Sequence, residues 1–194
     1  MARSKKRLQP WLQKKKIDGV VVGTHGRTGV GKLLLGSVAQ RVFNSAPCPV
    51  VTVSSKARTS SWMGTTLNKI LYMTDLSDLS KRALPYALSL AKANSAELLL
   101  AYAPEASVHD ECLDQDLAEL VASAARSWYR LAQVSVTGDA APGIVTLAVS
   151  GEVDLIVIGA ERLTAGPLYR FNVPFTTAYQ IVANAPCPVL RVRS

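Results

Sequence analysis

Three cysteines in 194 residues, Cys48, Cys112 and Cys187, are too few and too scattered to staple a fold. Their number is odd and none has metal-ligand spacing, so a reduced, cytoplasmic protein is expected. Histidine is scarcer, with only His25 and His109. No paired His ligands, no Ser/His/Asp set and no carboxylate pair can be read, so neither catalytic residues nor a metal site are expected. No apolar run approaches the roughly 18 residues of a membrane span, which excludes a membrane partner of that kind. The basic N-terminus is followed by no apolar stretch and does not read as a secretory leader. Acids are missing from one end. Residues 1–60 hold 12 Lys/Arg and one acid, a balance of +11, whereas residues 61–194 hold 10 and 13, a balance of −3. Aromatic residues make up 6% of the chain and none interleaves with Lys14–Lys16, so the basic end lacks a stacking platform and nucleic acid is not an expected partner.

What is present is a repeat. "IDGVVVG" (17–23) returns as "VDLIVIG" (153–159), and "NSAPCPVVTV" (44–53) as "NAPCPVLRV" (184–192). Asp18 and Ala46 lie 28 positions apart, Asp154 and Ala185 31 apart, so one strand–helix–strand unit occurs twice. Both first strands are continuously apolar, as parallel strands covered on both faces must be. Cys48 and Cys187 sit between prolines at the start of the last strand and read as packing residues.

Between the copies, a Ser/Thr-rich stretch (56–66) reads as a linker. "NKILYMTDLS" opens a new strand. Residues 78–95 read as a helix with Leu79, Ala83, Tyr86, Ala87, Leu90 and Ala91 on its apolar side and Pro85 as a distortion or a start. "AELLLAYAP" (96–104) is a strand, 114–133 a helix, 133–138 a strand and 142–151 a helix. The alternation predicts an α/β fold with a five-stranded parallel sheet and helices on both faces. Residues 67–194 form a complete unit. Residues 1–55 form only its last third, a partial β-α-β copy.

Two phosphate-binding motifs overlap after the first strand. Gly26–Lys32 offers "GRTGVGK", but Leu33 stands where a P-loop needs the Ser or Thr that ligates magnesium, even though "ILYMTD" could serve as the matching acidic strand. The other spacing, G-x2-G-x9-G-[ST], is met by Gly23, Gly26, Gly36 and Ser37. Glycines let backbone N–H groups approach phosphate oxygens, and Gly36–Ser37 open a helix whose N-terminus favours an anion.

At these residues the chain resembles the universal stress protein family. "DGVVVGTHGRTGVGKLLLGSVAQRVFNSAPCPVVTV" looks like that family's closing β-α-β unit, and "KILYMTDLSDLSKRALPYALSLA" like its opening strand and helix, with "TDLS" for the usual "TDGS". The resemblance implies strand order 3-2-1-4-5 and ATP or another adenine nucleotide at the switch point between strands 1 and 4. Carried over residue by residue, the cofactor-binding set is Gly23, Thr24, His25, Gly26, Arg27, Gly36, Ser37 and Asp75. His25 is equally open to a surface role.

Each copy lacks part of this set. The first has no Asp strand. In the second, Arg162 stands for Gly26, and Phe175 and Thr176 for Gly36 and Ser37, so residues 67–194 are not expected to bind ATP in their own cleft. The resemblance also implies that the last strands, Val50–Val53 and Val189–Val192, pair antiparallel as edges. The first copy must borrow a neighbour, because a lone strand–helix–strand unit cannot offset its ordering cost of roughly 1–2 kcal/mol per residue. The resident copy is expected to keep its place beside strand 70–74, leaving Val20–Val22 to seek a second chain in a homodimer. The function implied is a non-catalytic, adenine-nucleotide-binding or signalling protein of the stress response. The alternative is a structural or protein-interaction module with an extinct nucleotide site and no cofactor.

Overall fold

The computed structural model describes residues 15–24, 36–58, 66–103, 111–128, 130–160 and 177–193. In chain order the elements are β1 (Val20–Gly23), α1 (Ser37–Ser45), β2 (Val50–Val53), β3 (Lys69–Thr74), α2 (Asp78–Asn94), β4 (Glu97–Tyr102), α3 (Glu111–Ser127), β5 (Leu131–Ser135), α4 (Ala140–Ser150), β6 (Leu155–Gly159), α5 (Thr177–Asn184) and β7 (Val189–Val192). The strands form one mixed, mostly parallel sheet of seven, ordered β1-β2-β7-β6-β3-β4-β5. Its last five strands, read from the β5 edge, run in the order 3-2-1-4-5. The two copies therefore share a single sheet.

Among the described residues, the one antiparallel contact lies between the copies. Val50 pairs with Arg191, Val51 with Leu190 and Thr52 with Val189. The hydrogen-bond directions fix which residues serve it. Val20 donates to the Pro49 carbonyl at 3.0 Å and Thr24 to that of Val53 at 2.8 Å, so odd-numbered residues of β2 face β1. Val50 and Thr52 face β7. Side chains reinforce the joint almost symmetrically. Ser54 Oγ donates to the Ala185 carbonyl at 2.7 Å, and Arg193 Nη1, at the matching repeat position, to the Ala46 carbonyl at 3.4 Å. Arg191 breaks the symmetry. It stands where the first copy has Thr52, is fully buried, lies 4.9 Å over the Phe43 ring and donates to the Ala46 carbonyl at 3.3 Å. The stretch expected to begin the linker is docked as well, with the Arg58 N–H on the Pro186 carbonyl at 2.8 Å.

The alternating pleat divides the core between the two faces of the sheet. On one face Leu71, Ile156, Ile158 and Val189 meet Ile144 and Ala148 of α4, Tyr179 and Val182 of α5, and Ala39 and Phe43 of α1. A satellite cluster of Val42, Ala46, Cys48 and Val50, with Val20 and Val22 against it, continues this face beneath α1. On the other face Ile70, Tyr72, Leu98, Val157, Leu190 and Val192 meet Ala83, Ala87 and Ala91 of α2 and Leu117 and Ala124 of α3.

Three local expectations shift. Helix α2 runs through Pro85, which is exposed. The buried stripe of α2 runs through Ser80, Ala83, Leu84, Ala87 and Ala91, and Tyr86 lies off it at 43% exposure. Strand β5 begins at Leu131 rather than 133, because pairing with β4 sets its register (Leu98 with Leu131) and Trp128 Nε1, on the Ala96 carbonyl at 2.8 Å, ends the preceding helix.

Candidate functional site

The β3 strand delivers Asp75 to the sheet's switch point, where β3 is flanked by β4 and β6. Asp75 Oδ1 accepts from the N–H of Ser77 at 3.0 Å and from its Oγ at 2.6 Å. Ser77 in turn caps α2, its hydroxyl accepting from the Ser80 N–H at 3.2 Å. Thr74 Oγ1 lies 3.0 Å from Ser80 Oγ and accepts from the Leu76 N–H at 3.0 Å. Burial alone would raise the Asp75 carboxyl. The hydroxyls of Ser77 and Ser80 and the Ser77 backbone N–H outweigh it and hold the group below the usual carboxylate range. Asp75 is therefore an anion locked to its own loop. Beneath it, burial pushes the Tyr72 hydroxyl up to about 12, and that hydroxyl donates to the Ser80 carbonyl at 2.9 Å.

Leu76 has φ 66°, the left-handed region, at the position where the resembled motif carries glycine. A non-glycine residue there costs on the order of 1–2 kcal/mol. Burial of the leucine side chain against the α2 face of the core opposes that cost. The serine partners of Asp75, Ser77 and Ser80, were missed from the sequence, although "TDLSDLS" carries the S-x-x-S spacing of a helix cap.

The other half of the expected site sits at the end of β1. Gly23 closes the strand, the Thr24 N–H is tied to Val53, and the Gly36 N–H donates to the Thr24 carbonyl at 2.8 Å. That last bond brings the strand end against the start of α1, where Gly36 occupies the N-cap and Ser37 the first helical position. Among the described residues, no side chain caps this helix start. His25, Gly26 and Arg27 lie outside the described residues, as do Lys32 and Leu33 of the P-loop spacing, His109, and Arg162, Phe175 and Thr176 of the second copy.

The structure thus brings Gly23, Thr24, Gly36 and Ser37 together and leaves Asp75 apart from them. Three strands intervene between β1 and β3, a lateral separation of about 19 Å. The antiparallel joint also reverses direction, so the carboxyl ends of β1 and β3 lie at opposite ends of the sheet. The second copy keeps Gly159 for a packing reason. A Cβ there would lie 2.2 Å from the Leu79 carbonyl oxygen in the first turn of α2. Cys187 is buried, and burial pushes its thiol up to about 12, which fits a packing role.

A doubly wound sheet with strand order 3-2-1-4-5, an Asp at the switch point and a glycine turn after the fourth strand type define the class. The profile of the universal stress protein family matches residues 10–54 and 66–193, and the chain belongs to that family. It is 56% identical over 43 residues to a universal stress protein of Methanocaldococcus jannaschii, covering 22% of this chain and 25% of that protein. A universal stress protein of Thermus aquaticus is 53% identical over 38 residues, covering 20% and 28%. The chain thus spans about a quarter of the length of these curated relatives. Among solved structures, a universal stress protein from Archaeoglobus fulgidus superposes with TM-score 0.70 at 20% identity, over 94% of this chain and 63% of that one. A universal stress protein in complex with cAMP superposes with TM-score 0.55 at 23% identity, over 66% of this chain and 98% of that one. Among the described residues, no helix is long and apolar enough to cross a membrane, and no cluster of His, Cys, Asp and Glu could hold a metal ion.

Proposed function

We propose that the chain is a non-catalytic, cytoplasmic protein of the stress response whose first copy takes an adenine nucleotide by its phosphates. The observation that carries this reading is the Thr24–Gly36 hydrogen bond, which sets the Gly23 turn against an uncapped helix start. Such a corner presents backbone N–H groups and the positive end of a helix dipole to an anion. Gly23, Thr24, His25, Gly26, Arg27, Gly36 and Ser37 would hold the phosphates. The fold neighbour in complex with cAMP supports a nucleotide as the ligand class. Asp75 has no part in this pocket.

A second reading, a protein-interaction module whose nucleotide site is extinct, draws support from the split of the loop and Asp75 between opposite ends of the sheet. Calorimetry with ATP on the full chain separates the two. The first reading expects stoichiometric binding that Gly26→Arg abolishes and Asp75→Ala leaves intact. Absence of binding at millimolar ATP would leave the interaction reading.

A further inference from the structure

The second copy shows what the outer side of β1 is built to hold. In that copy β6 pairs in parallel with β3, and α2 crosses over the pair. Three features at β6 serve this β3–α2 unit. Asp154 Oδ2 accepts the N–H groups of Asn68 and Lys69 at 2.8 and 3.1 Å, clasping the start of β3. Val157 is wholly buried beneath α2. Gly159 makes room for the Leu79 carbonyl.

The first copy retains all three, as Asp18, Val21 and Gly23, with nothing to serve among the described residues. Asp18 and Gly23 are exposed, and Val21 is 71% exposed against 0% for Val157. Among the described residues, strand β1 is the last strand of the sheet on that side. Because Val20 and Thr24 bond toward β2, the N–H groups of Val21 and Gly23 point outward. Val51 and Val53, cross-strand from Val21 and Gly23, are half-buried, and Val51 packs against the α2-side core, so the exposed apolar surface is centred on Val21.

We propose that this edge and face form a docking site for a strand–helix unit of another polypeptide, chemically like residues 69–94. The unit would be an apolar strand lying parallel to β1, followed by a helix with small residues where it crosses Gly23. A second copy of this chain fits less well. Two β1 strands paired about a twofold would satisfy the outward N–H groups, but the twofold stands normal to the sheet and leaves the Val21 face bare on both. A strand–helix unit covers the edge and the face together. The inference does not depend on nucleotide binding.

The test titrates the full chain, without nucleotide, with a peptide of residues 67–95 and reads amide hydrogen exchange. Docking slows exchange at Val21 and Gly23 and leaves Val20 and Thr24, already bonded to β2, unchanged. Gly23→Val, which restores a Cβ under the incoming helix, weakens binding about tenfold or more, and Asp18→Ala weakens it severalfold. Neither variant alters the melting temperature of the chain alone. Since the peptide must order itself to bind, a second form carries the same segment ahead of the chain on a Gly/Ser linker, at an effective concentration of about a millimolar. Unprotected Val21 and Gly23 amides in that form would overturn the proposal. So would peptide binding that neither Gly23→Val nor Asp18→Ala weakens. A chain that dimerises alone with those amides already protected, and that Val21→Pro returns to monomer, would assign the edge to a second copy instead.

Discussion

Residues 17–53 and 153–192 are the same unit in two settings. On the face covered by α1, α4 and α5 they are finished alike: Val50 and Val189 are 0% and 1% exposed, and both cysteines are buried. On the opposite face they diverge, because β6 has β3 and α2 beside it and β1 has neither. The pattern of apolar residues is the same, so burial here is decided by the neighbour and not by the strand. An apolar strand specifies that it will be covered. It does not specify by what.

The comparison can be broken at several points. The largest effect is expected at the joint. Thr52→Pro removes a hydrogen-bonding position facing β7 and should cost about 3 kcal/mol or more in denaturant unfolding. Proline at Val51 would instead strike the β1–β2 pairing. Next comes the glycine pair. Gly159→Val drives a Cβ into the α2 backbone and should cost about 3 kcal/mol, whereas Gly23→Val, at an exposed position, should stay within about 0.5 kcal/mol of the parent. Equal losses would mean that something covers Gly23. The valines follow the same logic more weakly: Val157→Ala should cost about 2 kcal/mol and Val21→Ala close to nothing.

The smallest effect concerns the Asp75 loop, which the first copy lacks. Ser77→Ala removes the hydroxyl bond to Asp75 and the cap of α2 while keeping the backbone N–H bond, and should cost about 1 kcal/mol at neutral pH. The Asp75 carboxyl is depressed in the folded state, so its contribution is present above the ordinary carboxylate range and is lost as pH falls through the folded value. The gap between parent and Ser77→Ala should therefore narrow in acid. A gap that widened in acid would contradict the sign.

Much of this arrangement can be read from the letters. The repeated "DGVVVG/DLIVIG" and "APCPV" landmarks carry the strand–helix–strand copies, and the continuous apolar strands carry the parallel sheet. The pairing of Val50–Val53 with Val189–Val192 is what the resemblance to the family implies, and the observed register pairs these strands. Other features are tertiary facts. The antiparallel joint sends the Gly23 corner and Asp75 to opposite ends of one sheet, and no local pattern in either segment encodes that direction. Leu76 adopts a left-handed conformation because the Thr74 and Ser77 bonds fix the turn on either side of it, although leucine as a residue type argues against it. Arg191, a charge inside an apolar last strand, is buried with Phe43 and the Ala46 carbonyl against it, contacts that no local pattern encodes.

The equivalence of the two copies, and the edge left open beside only one of them among the described residues, comes down to two amides. The Val157 N–H faces β3 and the Val21 N–H, at the same repeat position, faces the open edge. Hydrogen exchange of both in one sample of the full chain compares them directly. Val157 should exchange only with global unfolding, and Val21 at close to the rate of an unprotected peptide group. Equal protection of the two would contradict an open edge at β1.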